Sequence, residues 1–363
     1  MMEGRRQIHI LNGDALLERF PFDTPDVIVA RECLVDGDVS SAHQVASLDG
    51  GGDAFLDTSL DAFFQIRASF LQKQYGISPD EYAASTVSEF RKIREIPPES
   101  DINLWFEEDL FCQVNFWFCC TLIHEFFFNP ANPANSAALT ISTNPINPTN
   151  QTNSTNPANS ANPANSAVRP RVFLIKPKPN TPYSFAGHRD EELAEQFRER
   201  VPIGDPGAIA RVWEEYVRGD ADALRDVAEA LEGEFPFILK AVEAHIDRIP
   251  REGDPGRPVR TLLEIVREIR EMQEMQEMRE AREMQEKQDV REIREAREME
   301  QNREVQDTGE EREVSGTAQH PRSNHDVPFG AVFQEFQRRE AIYGFGDLQV
   351  KRLFDAVMAG RFS

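Results

Sequence analysis

The sequence predicts an α/β protein: a Rossmann-like parallel sheet with flanking helices in the N-terminal half, an all-helical C-terminal region, and two low-complexity insertions. Three observations predict it. Strand-length apolar runs alternate with stretches of helical spacing over the first 128 residues, the pattern of a parallel sheet covered by helices. Residues 129–167 carry no charged side chain and repeat Asn-Pro-Ala-Asn-Ser, so they have little to bury and read as a disordered insertion. From Glu191 onward the spacing is helical.

The first strand is Gln7 to Leu11. Asn12-Gly13-Asp14 is turn chemistry, and Asp14 is placed to cap a helix from Ala15 to Phe20. Asp26 to Ala30 (DVIVA) is a β-branched run, the mark of a strand buried on both faces. Helices follow at Phe55 to Tyr75 and Pro79 to Arg94, the second opened by Ser78 as N-cap with Pro79 at its first position. Ile102 to Phe106 is the third strand, and Arg171 to Ile175 (RVFLI) the fourth. Between them lies the aromatic run from Phe116 to Phe128, which holds His124 and Glu125, is too short to span a bilayer, and reads as a buried helix.

Beyond the fourth strand, helices are expected at Glu191 to Arg200, Pro206 to Arg218, Ala221 to Glu232 and Pro236 to Arg248. Another starts at "GRPVRTLLEIVREI" and runs into a charged segment that steps in threes through Met272, Met275, Met278, Ala281 and Met284. A three-residue step carries an apolar stripe around the helix, so no coiled-coil seam forms. The segment reads as a solvated helical and linker insertion at about residues 271–325, fading near Asp307, with a partner-helix role left open. Packed helices return with Phe329, Val332, Phe333 and Phe336 on one face, and Asp347 is placed to cap the last. The organisation is thus an α/β domain over residues 1–190 and a helical domain over 191–363.

A net charge of −23 repels phosphate backbones and anionic lipid, which disfavours nucleic-acid and membrane-surface binding. The four cysteines form no CxxC pair and read as buried free thiols. No signal-peptide pattern opens the chain, so the cytoplasm is the expected location.

Several blocks together carry a resemblance: "HILNGDALLERF", "VIVARECLVDGDV", "LWFEEDLFCQ" with "VNFWF", "AVEAHIDRIP" and "REAIYGFGDLQVKRLF". In this order, from residue 8 to residue 357, the chain resembles the bacterial family labelled domain of unknown function 1835. The resemblance implies no reaction. The family block after the third strand often reads Glu-His-Asp with a further Asp three residues on. This chain carries Glu108 at the histidine position and Cys112 at the second aspartate, so it departs from the pattern there.

Ligands of open parallel sheets bind beyond the carboxyl ends of the strands. Those ends bring Asn12, Gly13 and Asp14 after strand one, Arg31, Glu32 and Asp36 after strand two, and Glu107, Glu108, Asp109 and Gln113 after strand three. Lys176 follows strand four. Carboxylates gathered there suit a hard cation, Mg²⁺ or Mn²⁺, on Asp14, Glu32 and either Glu107 or Asp109, with Arg31 or Lys176 pairing a phosphate. The competing reading is that Asp14 and Asp109 cap helices and that Arg31 and Glu32 form an ordinary ion pair. The functional expectation is a small-molecule or nucleotide-type pocket, with metal-assisted phosphoryl hydrolysis or transfer as its chemistry. The alternative is a non-catalytic regulatory module that meets a protein partner, and the residues leave open whether the chain is an enzyme.

Overall fold

A computed structural model describes residues 4–42, 53–130, 132, 168–303 and 327–362. It separates into two compact units, Met1–Ile249 with Ala341–Phe345, and Pro250–Glu340 with Gly346–Ser363. The expected boundary after residue 190 therefore moves to Ile249. The reason is packing: the helices of residues 206–247 pack on the helix that follows the third strand, and on one another, instead of forming a body of their own.

The first unit is a mixed α/β structure built on a five-stranded, mostly parallel sheet. The strands are β1 (Gln7–Asn12), β2 (Val27–Ala30), β3 (Asp101–Trp105), β4 (Arg171–Ile175) and β5 (Val201–Ile203). Their spatial order is β2-β1-β3-β4-β5. The first four run parallel, and the register sets Leu11 beside Val29 and Trp105, and Trp105 beside Ile175. Parallel neighbours need crossover connections. Those among the described residues are helical: α1 (Asp14–Leu17) between β1 and β2, then α2 (Asp53–Tyr75), α3 (Pro79–Tyr82) and α4 (Ser88–Lys92) between β2 and β3. Helix α5 (Leu110–Phe127) follows β3.

Strand β5 corrects the expectation of an all-helical region after Glu191. Helix α6 (Asp190–Arg198) turns the chain back so that Val201–Ile203 pairs antiparallel with β4. Three residues are too few for alternation to be legible, and Pro202, which lacks an N–H, is confined to edge positions such as this one. Helices α7 (Pro206–Arg218), α8 (Ala221–Ala230) and α9 (Pro236–Asp247) then follow within two residues of their expected ends.

Two further elements differ from expectation. Helix α1 stops at Leu17, because Phe20 and Phe22 leave it to pack on His9 and Trp105. The helix expected from Pro79 to Arg94 keeps its Ser78 cap but passes through a π-helical segment at Ala83–Val87 before α4.

The apolar run that opens at Phe116 belongs to an 18-residue helix, because Asp109 caps it one turn after β3. That length suffices to cross a membrane, which corrects the expectation that it is too short. Of that window 83% is buried inside the unit, with α5 packed on α7. The Asn-Pro repeat of residues 129–167 lies outside the described residues except for its first positions, and there Asn129 is buried and donates to Glu125 Oε2 at 2.8 Å.

In the second unit, α10 (Arg257–Arg303) is one helix of 47 residues, so no break separates its packed start from the charged stretch. Its first turns pack with α11 (Phe329–Arg339) and α12 (Asp347–Met358), burying Leu262, Ile265, Val332, Phe336 and Val350. From residue 274 to residue 300 the side chains of α10 are solvated: Met275 is 57% and Met284 66% exposed. Gly346, not Asp347, is the N-cap of α12. The linker expected beyond Asp307 lies outside the described residues up to Val327.

Candidate functional site

The strand order reverses direction at β1, with β2 on one side and β3 on the other. At such a switch point the carboxyl ends of two adjacent strands part and leave a crevice. Asn12 ends β1, and Glu107 lies just past the end of β3. A thiol ties these two ends together. Asn12 Nδ2 donates to Cys112 Sγ at 2.9 Å, and Cys112 Sγ donates to Glu107 Oε2 at 3.0 Å. Asn115, one turn further along α5, donates to Asn12 Oδ1 at 2.9 Å and to the Glu32 carbonyl at 2.7 Å.

Asp109 is both the N-cap of α5 and the buried member of an acid pair. Its Oδ1 accepts the Cys112 N–H at 3.0 Å. One ligand atom each from Glu107, Asp109 and Cys112 all fall within 4.8 Å of one another. Burial, then the neighbouring Glu107 charge, pushes the Asp109 carboxyl up to about 7. Burial also raises Glu107. It raises Cys112 well above an ordinary thiol, and the two carboxyls add to that, so the sulfur keeps its proton and acts as a donor. Gly344 lies against Asp109 in a left-handed conformation (φ 61°), and a Cβ there would stand 1.9 Å from Asp109 Oδ1. Only glycine fits that approach.

Glu107 faces outward into a cavity of about 130 Å³. Its walls include Asn12, Arg19, Trp105, Ser184, Phe185 and Leu193. The loop after β4 forms the far wall. It is held there by Glu108 N–H on the Pro182 carbonyl at 2.9 Å and by Phe185 N–H on Glu107 Oε1 at 3.3 Å. Behind Trp105, the indole donates to His9 Nδ1 at 3.1 Å, and the ring cluster of Phe20, Phe22 and Phe197 surrounds both.

The sequence-predicted residues divide into two sets. Asn12, Glu107, Asp109 and Gln113 come together, with Gln113 Nε2 donating to the Glu107 carbonyl at 2.8 Å. Gly13 supplies the turn (φ 76°) and ties β1 to β2 through its N–H on the Ala30 carbonyl. The others are committed elsewhere. Asp14 makes no cap bond, and its half-exposed carboxylate pairs with Arg31 at 2.7 Å. Glu32 is wholly buried against Arg67 at 2.9 Å and accepts the Tyr82 hydroxyl at 2.8 Å. Burial and that facing carboxylate push the Tyr82 hydroxyl up, so it stays a donor. Lys176 lies 3.6 Å from Glu108 and over the Phe237 ring. Asp36 accepts the Tyr75 hydroxyl.

The convergence expected of Asp14 and Glu32 with Glu107 or Asp109 is therefore replaced, among the described residues, by that of Glu107, Asp109 and Cys112. Guanidiniums satisfy the first two acids, so neither is a spare ligand. Cys112 was readable only as a small buried residue, although its place three residues past a capping aspartate puts its side chain on the capped end. Gly344 carries no local signal of its approach to Asp109, which spans more than two hundred residues of chain. No family model, curated protein or solved structure matches the chain.

Proposed function

We propose that the first unit works as a Rossmann-like scaffold that binds a small polar molecule at the switch point between β1 and β3. Glu107 contacts the ligand, and Asp109 holds a proton beside it. One observation supports this reading above the others: the cavity at the crevice has a raised carboxyl on its wall, backed through a thiol by a fully buried second acid. Paired acids whose environments raise them toward neutrality suit proton transfer or recognition of a donor group. A cavity of about 130 Å³ is smaller than a typical ligand pocket, so it suits a very small molecule or one moiety of a larger one, such as the base of a nucleotide-type ligand. Trp105, Phe185 and Leu193 supply the apolar contact.

A metal reading stands second, favoured by the convergence of three donors. A thiol with two carboxylates suits Zn²⁺ better than Mg²⁺ or Mn²⁺, which prefer oxygen alone. Phosphoryl hydrolysis or transfer through Mg²⁺ would have to leave Cys112 uncoordinated, and Lys176 and Arg31 already face Glu108 and Asp14. The non-catalytic reading treats Asp109 as a cap alone. Three free buried thiols fit a reducing compartment, and we place the chain in the cytoplasm. We also group it with the family labelled domain of unknown function 1835, on the sequence blocks alone.

Thermal unfolding with a nucleotide and metabolite panel, with and without Zn²⁺, Mg²⁺ and Mn²⁺, tests the three readings, because a native-state ligand raises the midpoint by mass action. A rise abolished by Glu107→Gln supports the pocket. A rise with metal alone, lost in Asp109→Asn and Cys112→Ser, supports the metal. If no addition moves the wild type, the non-catalytic reading stands.

A further inference from the structure

A second cavity, of about 350 Å³, lies between α2, the end of α4 and α5, well away in sequence from the strand ends. Its volume falls within the range of small-molecule pockets. The floor is apolar and largely aromatic: Leu60, Phe64, Phe90, Leu122 and Phe126, each buried in the unit. Phe64 and Phe90 stack at 5.8 Å between centroids, which presents flat hydrocarbon to the cavity.

The mouth is charged. Arg91 pairs with Asp61 at 2.7 Å, and Arg94 holds Asp57 at 2.5 Å. Glu95 is the fifth charge, exposed and without an ion-pair partner among the described residues. Two guanidiniums thus face three carboxylates. An incoming carboxylate would have to displace Asp57 or Asp61 from its arginine. An incoming cation finds Glu95 open, in a chain whose net charge of −23 attracts it.

We propose that this cavity is a second ligand site, and that it takes an amphiphilic amine: an aryl or alkyl body on the phenylalanine floor and an ammonium group on Glu95. The proposal does not rest on the strand-end pocket. Burial of the body supplies most of the affinity and the ammonium supplies the selectivity.

The experiment compares three probes that share one body and differ in head: 4-phenylbutylamine, 4-phenylbutanol and 4-phenylbutanoate. Each is titrated by calorimetry into the full chain, with the ring resonances of Phe64, Phe90 and Phe126 followed by NMR. The expected order of affinity is amine, then alcohol, then carboxylate, with shifts confined to those rings. Glu95→Gln is a surface change that leaves the fold intact by circular dichroism. It should weaken the amine by about threefold to fivefold, the worth of one exposed ion pair, and leave the alcohol unchanged. Glu107→Gln should bind the amine as the wild type does. The proposal is overturned if the carboxylate binds as tightly as the amine or if none of the three saturates. It is equally overturned if Glu95→Gln changes nothing, or if only Glu107→Gln does.

Discussion

Gly344 lies against the Asp109 carboxylate so closely that a single added Cβ would stand 1.9 Å from Oδ1. The two residues are brought together by the fold, and their contact seals the buried acid from water. Gly344→Ala therefore meets two costs: a left-handed backbone that alanine resists, and displacement of the carboxylate that caps α5. Urea unfolding should show a loss of roughly 2–4 kcal/mol. Gly344→Asn tolerates the backbone but not the approach. If Asn were as stable as the wild type, the contact with Asp109 would not be the reason for glycine.

Asp109 should make stability fall as pH rises. Its carboxyl ordinarily titrates at 3.8 and is held at about 7 in the folded chain. The folded state thus binds the extra proton between those values, and its stabilising effect is complete below 3.8 and gone above 7. The difference is about 4 kcal/mol across that window. Asp109→Asn keeps the cap and removes the titration, so its stability should be flatter with pH and exceed the wild type at pH 8 by about that amount. His9 provides the internal contrast. Burial, with Arg200 nearby, lowers it from 6.5 to about 4, so its contribution is present above 6.5 and lost as pH falls toward 4. Parallel pH profiles for wild type and Asp109→Asn would refute the assignment.

The ion pair of Glu32 and Arg67 is wholly buried, with Arg67 also donating to the carbonyls of Cys33 and Asp36. Arg67→Met strands a buried carboxylate and should lower stability by about 3–5 kcal/mol. Adding Glu32→Gln should recover part of that, because the uncompensated charge is gone. A double variant no better than the single would show that the loss comes from packing and carbonyl bonds instead.

Residues 268–303, excised as a peptide, should remain largely helical. The stretch is rich in Glu, Arg, Gln and Met, all strong helix formers. Arg279–Glu283, Arg282–Glu286, Arg291–Glu295 and Arg294–Glu298 pair at 2.8–3.3 Å along it. Each pair is worth about 0.2–0.5 kcal/mol and weakens with salt. Circular dichroism at 222 nm should therefore report high helicity at low salt and a lower value at high salt. A coil spectrum at low salt would mean the helix depends on the rest of its unit.

Local chemistry alone determined much of this protein. The β-branched and apolar runs marked four parallel strands to within one residue at each end, and Ser78, Asp109 and Pro206 marked helix starts, because hydrophobic spacing and capping act over a few neighbouring residues. The strand ends named Asn12, Glu107, Asp109 and Gln113 as neighbours of one crevice. Only the tertiary structure decided which acids were spare. Glu32 and Asp14 looked as available as Glu107 until Arg67, more than thirty residues away, and Arg31 neutralised them. It alone decided that Cys112 joins two strand ends and that Gly344 roofs Asp109. It also decided that Val201–Ile203 extends the sheet. Each of these is a long-range pairing, settled by which distant group satisfies a buried charge or an open backbone edge, and hydrophobic period and capping patterns do not encode such partners.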